Sequence, residues 1–109
     1  MLNEVFIDAT KYKIRSTSEK IIVDGQQCSG SIDFNRAKIK LFDEIIGQGS
    51  ECRILMHEIC HGILFERGLK NYYEDETLVD ELASGIINLI RANPKLVDFI
   101  NCTGKETEN

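Results

Sequence analysis

What this 109-residue sequence lacks narrows it before any motif does. No apolar run approaches the roughly 20 residues that a membrane-spanning helix needs, so no membrane is expected as a partner. The opening residues, Met1-Leu2-Asn3-Glu4-Val5, have neither the basic region nor the apolar region of a secretion signal. The expected compartment is the cytoplasm. No segment of the chain gathers basic residues and the net charge is −5, which argues against a nucleic acid as partner. The four cysteines, Cys28, Cys52, Cys60 and Cys102, form no C-x-x-C pair and no framework spacing. Cys52 and Cys60 stand about two turns apart on one predicted helix, too far for a disulfide. In a reducing cytoplasm they read as small buried hydrophobes rather than zinc ligands or nucleophiles. Histidine is scarcer still, with two in the chain.

What remains is ordinary for one globular domain spanning 1–109, with 42% hydrophobic and 28% charged residues. The first half reads as strands and turns. Val5-Phe6-Ile7 is a short apolar run, and Tyr12-Lys13-Ile14-Arg15 alternates as a half-buried strand does. Lys20-Ile21-Ile22-Val23 ends at the turn signal Asp24-Gly25 and fits either a strand or the end of a short helix. Residues 28–42 alternate on both sides of Asn35-Arg36-Ala37, which predicts an antiparallel hairpin.

The second half reads as helices. Gly47-Gln48-Gly49 breaks the strand pattern, with Ser50 as the expected N-cap of a helix running to Arg67 and stopped by Gly68. Apolar residues lie almost all round that helix, so it is expected to be buried. A second helix, Asp75 to Ala92, carries a stripe of Leu78, Val79, Leu82, Ala83, Ile86, Ile87, Leu89 and Ile90. Asn93 is expected to cap a third helix with Pro94 at its first position, reaching Cys102. The polar tail, Thr103 to Asn109, is expected to fray.

Both histidines fall in His57-Glu58-Ile59-Cys60-His61, on the predicted buried helix. Histidines four apart lie about 40° from each other around a helix, so both imidazoles can point at one atom. Glu58 points to the side, where it reaches a water bound to that atom. This is the H-E-x-x-H arrangement in which the histidines hold Zn²⁺ and the glutamate acts as general base. Two imidazoles and a carboxylate are costly in an apolar helix unless they have partners, and a metal is such a partner.

A catalytic zinc takes three protein ligands and keeps an open position. The third is sought among Glu74, Asp75, Glu76, Asp80 and Glu81. The apolar stripe centres between Val79 and Ile86, with Glu76 about 70° from that centre, Asp80 about 110°, and Glu81 nearly opposite. Glu76 is the first choice, Asp80 the second, and Glu81 is expected to face solvent. Cys60 should point away from the metal, about 100° round the helix from His61.

His57-Glu58-Ile59-Cys60-His61 followed by Glu76-Thr77-Leu78-Val79-Asp80-Glu81-Leu82-Ala83 resembles the ImmA/IrrE-type metallopeptidases and related phage-encoded minimal zincins. In that family the histidine motif precedes a helix reading roughly E-x-x-A-N-x-F-A, whose glutamate completes the zinc site. Glu76 matches that glutamate, and Leu82 with Ala83 matches the apolar pair. Val79 is larger than the family's small residue, and Asp80 stands where Asn is frequent. Gly85-Ile86-Ile87-Asn88-Leu89-Ile90 with Asn93-Pro94 resembles phage members, and the likeness covers residues 28–97. The resemblance implies an α+β, minimal zincin-like fold: a small antiparallel sheet packed on a buried H-E-x-x-H helix, with two further helices. It also implies that a regulator, carried as extra domains in larger members, is a separate protein here.

The expected function is a zinc-dependent metallopeptidase acting on a protein or peptide substrate. His57, His61 and Glu76 hold Zn²⁺ and Glu58 is the general base, with Tyr72 or Tyr73 as a candidate donor to the oxyanion. Lys38 to Phe42 is a candidate sheet edge for pairing with an extended substrate. The alternative is a catalytically idle binding or regulatory module on a zincin scaffold, of phage or prophage origin.

Overall fold

The long central helix lies between two layers, and that placement explains why it is apolar nearly all round. A computed structural model describes residues 2–103. Its elements in order are β1 (Glu4–Ile7), β2 (Thr10–Thr17), β3 (Ile21–Val23), β4 (Gln26–Cys28), β5 (Gly30–Asp33) and β6 (Lys38–Phe42). A short 3₁₀ turn, Asp43–Ile45, leads to α1 (Glu51–Glu66), α2 (Glu76–Ala92) and α3 (Leu96–Thr103). Among the described residues no helix is long and apolar enough to cross a membrane.

The chain is α+β, but the sheet is mixed rather than antiparallel. Its order is β1-β2-β6-β5, with β1 and β5 antiparallel to their neighbours and β2 parallel to β6. Alternation along Tyr12-Lys13-Ile14-Arg15 says which side chains are buried, not which way the next strand runs. Between β2 and β6 the chain makes the separate β3–β4 hairpin and then β5, and so returns to β2 in the same direction. Lys20 to Val23 resolves as a strand: Asp24 and Gly25, at φ +51° and +78°, form the tight turn that joins it to β4. The predicted hairpin over 28–42 is present as β5 and β6.

One face of the sheet carries Ile7, Tyr12, Ile14, Ile39 and Leu41, all fully or almost fully buried. Ile54, Leu55, Ile59 and Ile63 of α1 pack on it. The opposite side of α1 meets α2 through Cys60, Leu64, Val79 and Ala83. Leu41 has no exposed surface, so Leu41→Ala should lower stability by about 2–5 kcal/mol, read from a urea transition with an unchanged slope. The buried Tyr12 hydroxyl needs a partner and donates to Glu66 Oε2 at 2.7 Å, while Thr10 Oγ1 donates to Oε1 at 2.7 Å. These bonds tie the last turn of α1 to the second strand. Burial and the Glu66 carboxylate push the Tyr12 phenol up from its ordinary value.

Three helix ends differ from expectation in their chemistry. Ser50 makes no side-chain capping bond; instead the Glu51 carboxylate accepts from the Gly47 N–H at 2.6 Å, four residues upstream. Asn93 does not cap α3. Its side-chain amide donates to the Leu89 carbonyl at 2.9 Å, closing the end of α2, and Pro94 lies in the turn before α3 begins. Thr103 is the last residue of α3, with Oγ1 donating to Phe99 O at 2.7 Å, and the rest of the expected fraying tail lies outside the described residues. Gly68 ends α1 as expected, at φ +72°. The Leu69 N–H bonds Leu64 O at 2.9 Å and the Gly68 N–H bonds Phe65 O at 3.0 Å.

Candidate metal centre

α1 and α2 bring two imidazoles and one carboxylate to a point. His57 Nε2 lies 2.9 Å from Glu76 Oε1, and His61 Nε2 lies 3.2 Å from Glu76 Oε2. The two Nε2 atoms are 3.2 Å apart. Ligands about 2.0–2.1 Å from a tetrahedral zinc sit about 3.4 Å from one another, so the three separations fit one ion between them. His57, His61 and Glu76 form a group that can hold a metal ion.

The second nitrogen of each ring decides what the first can do. His61 Nδ1 meets the Tyr73 carbonyl, an acceptor, so Nδ1 carries the proton there. His57 Nδ1 faces Asp80 Oδ1 at 3.4 Å, an ion-pair distance rather than a hydrogen bond. In the tautomers with the proton on Nδ1, both Nε2 atoms turn a lone pair toward the Glu76 carboxylate. With each Nδ1 protonated, the three groups would meet with no donor between them, a conflict between lone pairs. A divalent cation between them would satisfy all three groups at once. Burial sharpens the conflict on the histidine side, since the side chains of His57 and His61 are only 19% and 8% exposed. Glu76 is 71% exposed and leaves the centre open to solvent.

The burial order of the acids reverses the one that helical angle predicts: the Glu76 side chain is 71% exposed and that of Asp80 48%. Glu76 joins the two histidines, and Glu81 is exposed. Asp80, the second choice, lies one turn further along α2 and touches His57 from behind, while Arg53 Nη1 holds it at 3.3 Å. Asp75 caps α2 by accepting from the Leu78 N–H at 3.1 Å, which places Glu76 in the first helical turn. Cys60 is fully buried in the α1–α2 core, and burial pushes its thiol up.

Glu58 leaves α1 on the side of β5 and is only 7% exposed. Gly30 makes that possible: a Cβ there would stand 3.0 Å from Ile54 Cγ2 and 3.3 Å from Glu58 Oε2. Burial pushes the Glu58 carboxyl up to about 7; His61 opposes that shift and the negative Glu76 adds to it. A carboxyl poised there can both take and give a proton near neutral pH.

The site opens into a cleft of about 740 Å³ between α1, the start of α2, β5 and the β3–β4 hairpin. Tyr73 lines it, with its ring edge-on to Phe34 and Phe65 at 5.3 and 5.5 Å, but Tyr72 is exposed and does not. Lys38 to Phe42 is not a sheet edge, because β6 lies between β2 and β5. The free edge beside the cleft is β5. Phe42 donates its N–H to Ser29 O at 2.9 Å, and the antiparallel alternation then turns the backbone groups of Gly30 and Ile32 outward.

Compared with family models, with curated proteins and with solved structures, the chain finds no match. The likeness to the ImmA/IrrE-type enzymes therefore rests on the residues themselves. Sequence reasoning missed the backing of each histidine. The Tyr73 carbonyl carries no side-chain signal, but Asp80 had one: it lies four residues after Glu76, on the same side of α2.

Proposed function

We propose that this protein is a zinc-dependent peptidase of minimal zincin-like design. The observation that carries the reading is the convergence of three lone-pair donors beside a buried carboxyl at the wall of an open cleft. Imidazole and carboxylate donors favour zinc-like ions. A zinc ion held by His57, His61 and Glu76 supplies Lewis-acid chemistry, acidifying water and polarising a carbonyl. Glu58 takes the proton of the attacking water on its carboxylate and delivers it to the leaving amine. The Tyr73 carbonyl at His61 Nδ1 and the Asp80 carboxylate near His57 Nδ1 would leave Nε2 of each ring to hold the ion. The outward backbone groups of the half-buried Ile32, on the free edge of β5, give an extended peptide a place to pair beside the cleft.

The test is metal analysis of the purified protein together with hydrolysis of fluorescein-labelled casein. The expected result is about one zinc per chain, with hydrolysis lost to a chelator and restored by zinc. Absence of bound metal at micromolar free zinc overturns the reading. Full metal content with no hydrolysis leaves the binding module as the better account. Gly30→Ala adds a narrower check. The new methyl displaces the Glu58 side chain, so activity should fall about tenfold with metal content unchanged.

A further inference from the structure

The sheet has a second face, and its composition differs from that of the rest of the molecule. Register places Lys13 beside Lys38 and Arg15 beside Lys40 at the centre of the sheet, with Lys11 next to them on β2. These residues alternate with the buried Tyr12, Ile14, Ile39 and Leu41, so all five project away from α1. Glu4 and Asp33 flank them on the outer strands. Each of those acids already has a cation: Glu4 lies 3.7 Å from Lys11, and Asp33 lies 3.4 Å from Arg36. Among the described residues no carboxylate pairs with Lys13, Arg15, Lys38 or Lys40. Five cations against two acids put a net +3 on this face of a chain whose total is −5, which leaves −8 for everything else.

Like charges side by side on neighbouring strands destabilise a sheet. Two such pairs at the centre of a four-stranded sheet oppose folding, and an anionic occupant removes that opposition. Two aromatic rings bracket the cations. Phe6, 64% exposed, neighbours Lys11 at one end, and Phe42 neighbours Thr17 at the other. A four-stranded face that carries a row of cations with an exposed ring at one end and a half-buried ring at the other offers phosphates a charge and a base a stacking surface.

We propose that the outer face of β1-β2-β6-β5 binds single-stranded nucleic acid. The cations of β2 follow one another at about 6.6 Å, two residues per step, so they track an extended backbone along the strand. Phe6 receives a base at the end of that track. Reading along the chain hides this surface, because its cations come from two strands that meet only in the parallel pair.

The experiment is fluorescence anisotropy of labelled oligothymidylate and oligouridylate, each of about 12 nucleotides, titrated with the full chain between about 50 and 200 mM salt. Binding should weaken as salt rises. The double variant Lys13→Glu, Lys40→Glu should lose at least about tenfold in affinity and flatten the logarithmic salt slope by about 1.4. Phe6→Ala should lose about fivefold and leave the slope alone. The double variant should melt within a few degrees of the wild type, because the glutamates gain Lys38 and Arg15 as opposite-charge neighbours while the one at position 13 also faces Glu4. No oligonucleotide binding at the lowest salt overturns the proposal. So does affinity indifferent to all three substitutions, or binding only to phosphatidylserine vesicles. The better of the two oligonucleotides distinguishes DNA from RNA.

Discussion

Glu58→Gln should abolish hydrolysis while leaving the metal where it is. Glutamine has nearly the same shape, fits the same space against Gly30 and Ile54, and cannot take a proton from water. Loss of a general base lowers rates by about 10²–10⁴-fold. Metal content should match the wild type, since the ligating atoms belong to His57, His61 and Glu76. Thermal stability should be equal or higher, because an amide avoids the burial penalty that raises the Glu58 pKa. The measurement is kcat/KM on labelled casein beside zinc content and a melting curve. Retained hydrolysis would falsify the role of Glu58, whatever the metal content.

The stability outcome separates a functional carboxyl from a structural one. A structural group rewards the fold and is missed when it goes, as with Glu66, which accepts from both Thr10 and Tyr12. Glu58 lies in an apolar setting that opposes its charge, and burial is the largest cause of its shift. Residues kept against local stability are expected where chemistry needs them.

How much of this was legible in advance follows the range of each interaction. The spacing of the histidine motif and the stop at Gly68 depend on geometry within a turn or two of one helix, and sequence spacing alone exposes them. Glu76, by contrast, reaches the histidines only through the packing of α2 on α1. The Asp24-Gly25 turn and the β5–β6 hairpin are nearly as local. The parallel pairing of β2 with β6 joins residues 25 apart, such as Lys13 and Lys38, and alternation does not distinguish it from an antiparallel pair. That one unread pairing moved the sheet edge from β6 to β5 and gathered the cations on one face. The stripe on α2 misled in a different way. Only Val79, Ala83 and Ile87 are buried, while Leu78, Leu82, Leu89 and Ile90 are exposed, because α1 is one helix wide and covers one side of the stripe.

The sharpest test of the centre itself compares Glu76→Ala with Asp80→Ala. Both acids lie on α2, one turn apart, and both touch His57: Glu76 on Nε2 at 2.9 Å and Asp80 on Nδ1 at 3.4 Å. Only Glu76 also reaches His61. If Glu76 is a ligand, its removal leaves two imidazoles, and zinc affinity should fall more than about 100-fold. Asp80 orients a ligand without being one, so its removal should cost about 10–100-fold. Calorimetric titration with zinc reads the order directly. Folding supplies a second measure, because an ion that binds only the native chain stabilises it by about 2.7 kcal/mol at 100 times its Kd. That zinc-dependent rise in melting temperature should vanish in Glu76→Ala at concentrations where Asp80→Ala retains part of it. Equal affinity and equal thermal shifts in the wild type and both variants would remove Glu76 from the site. The two histidines would then share an ion with no acid from α2, and α2 would serve only to cover α1.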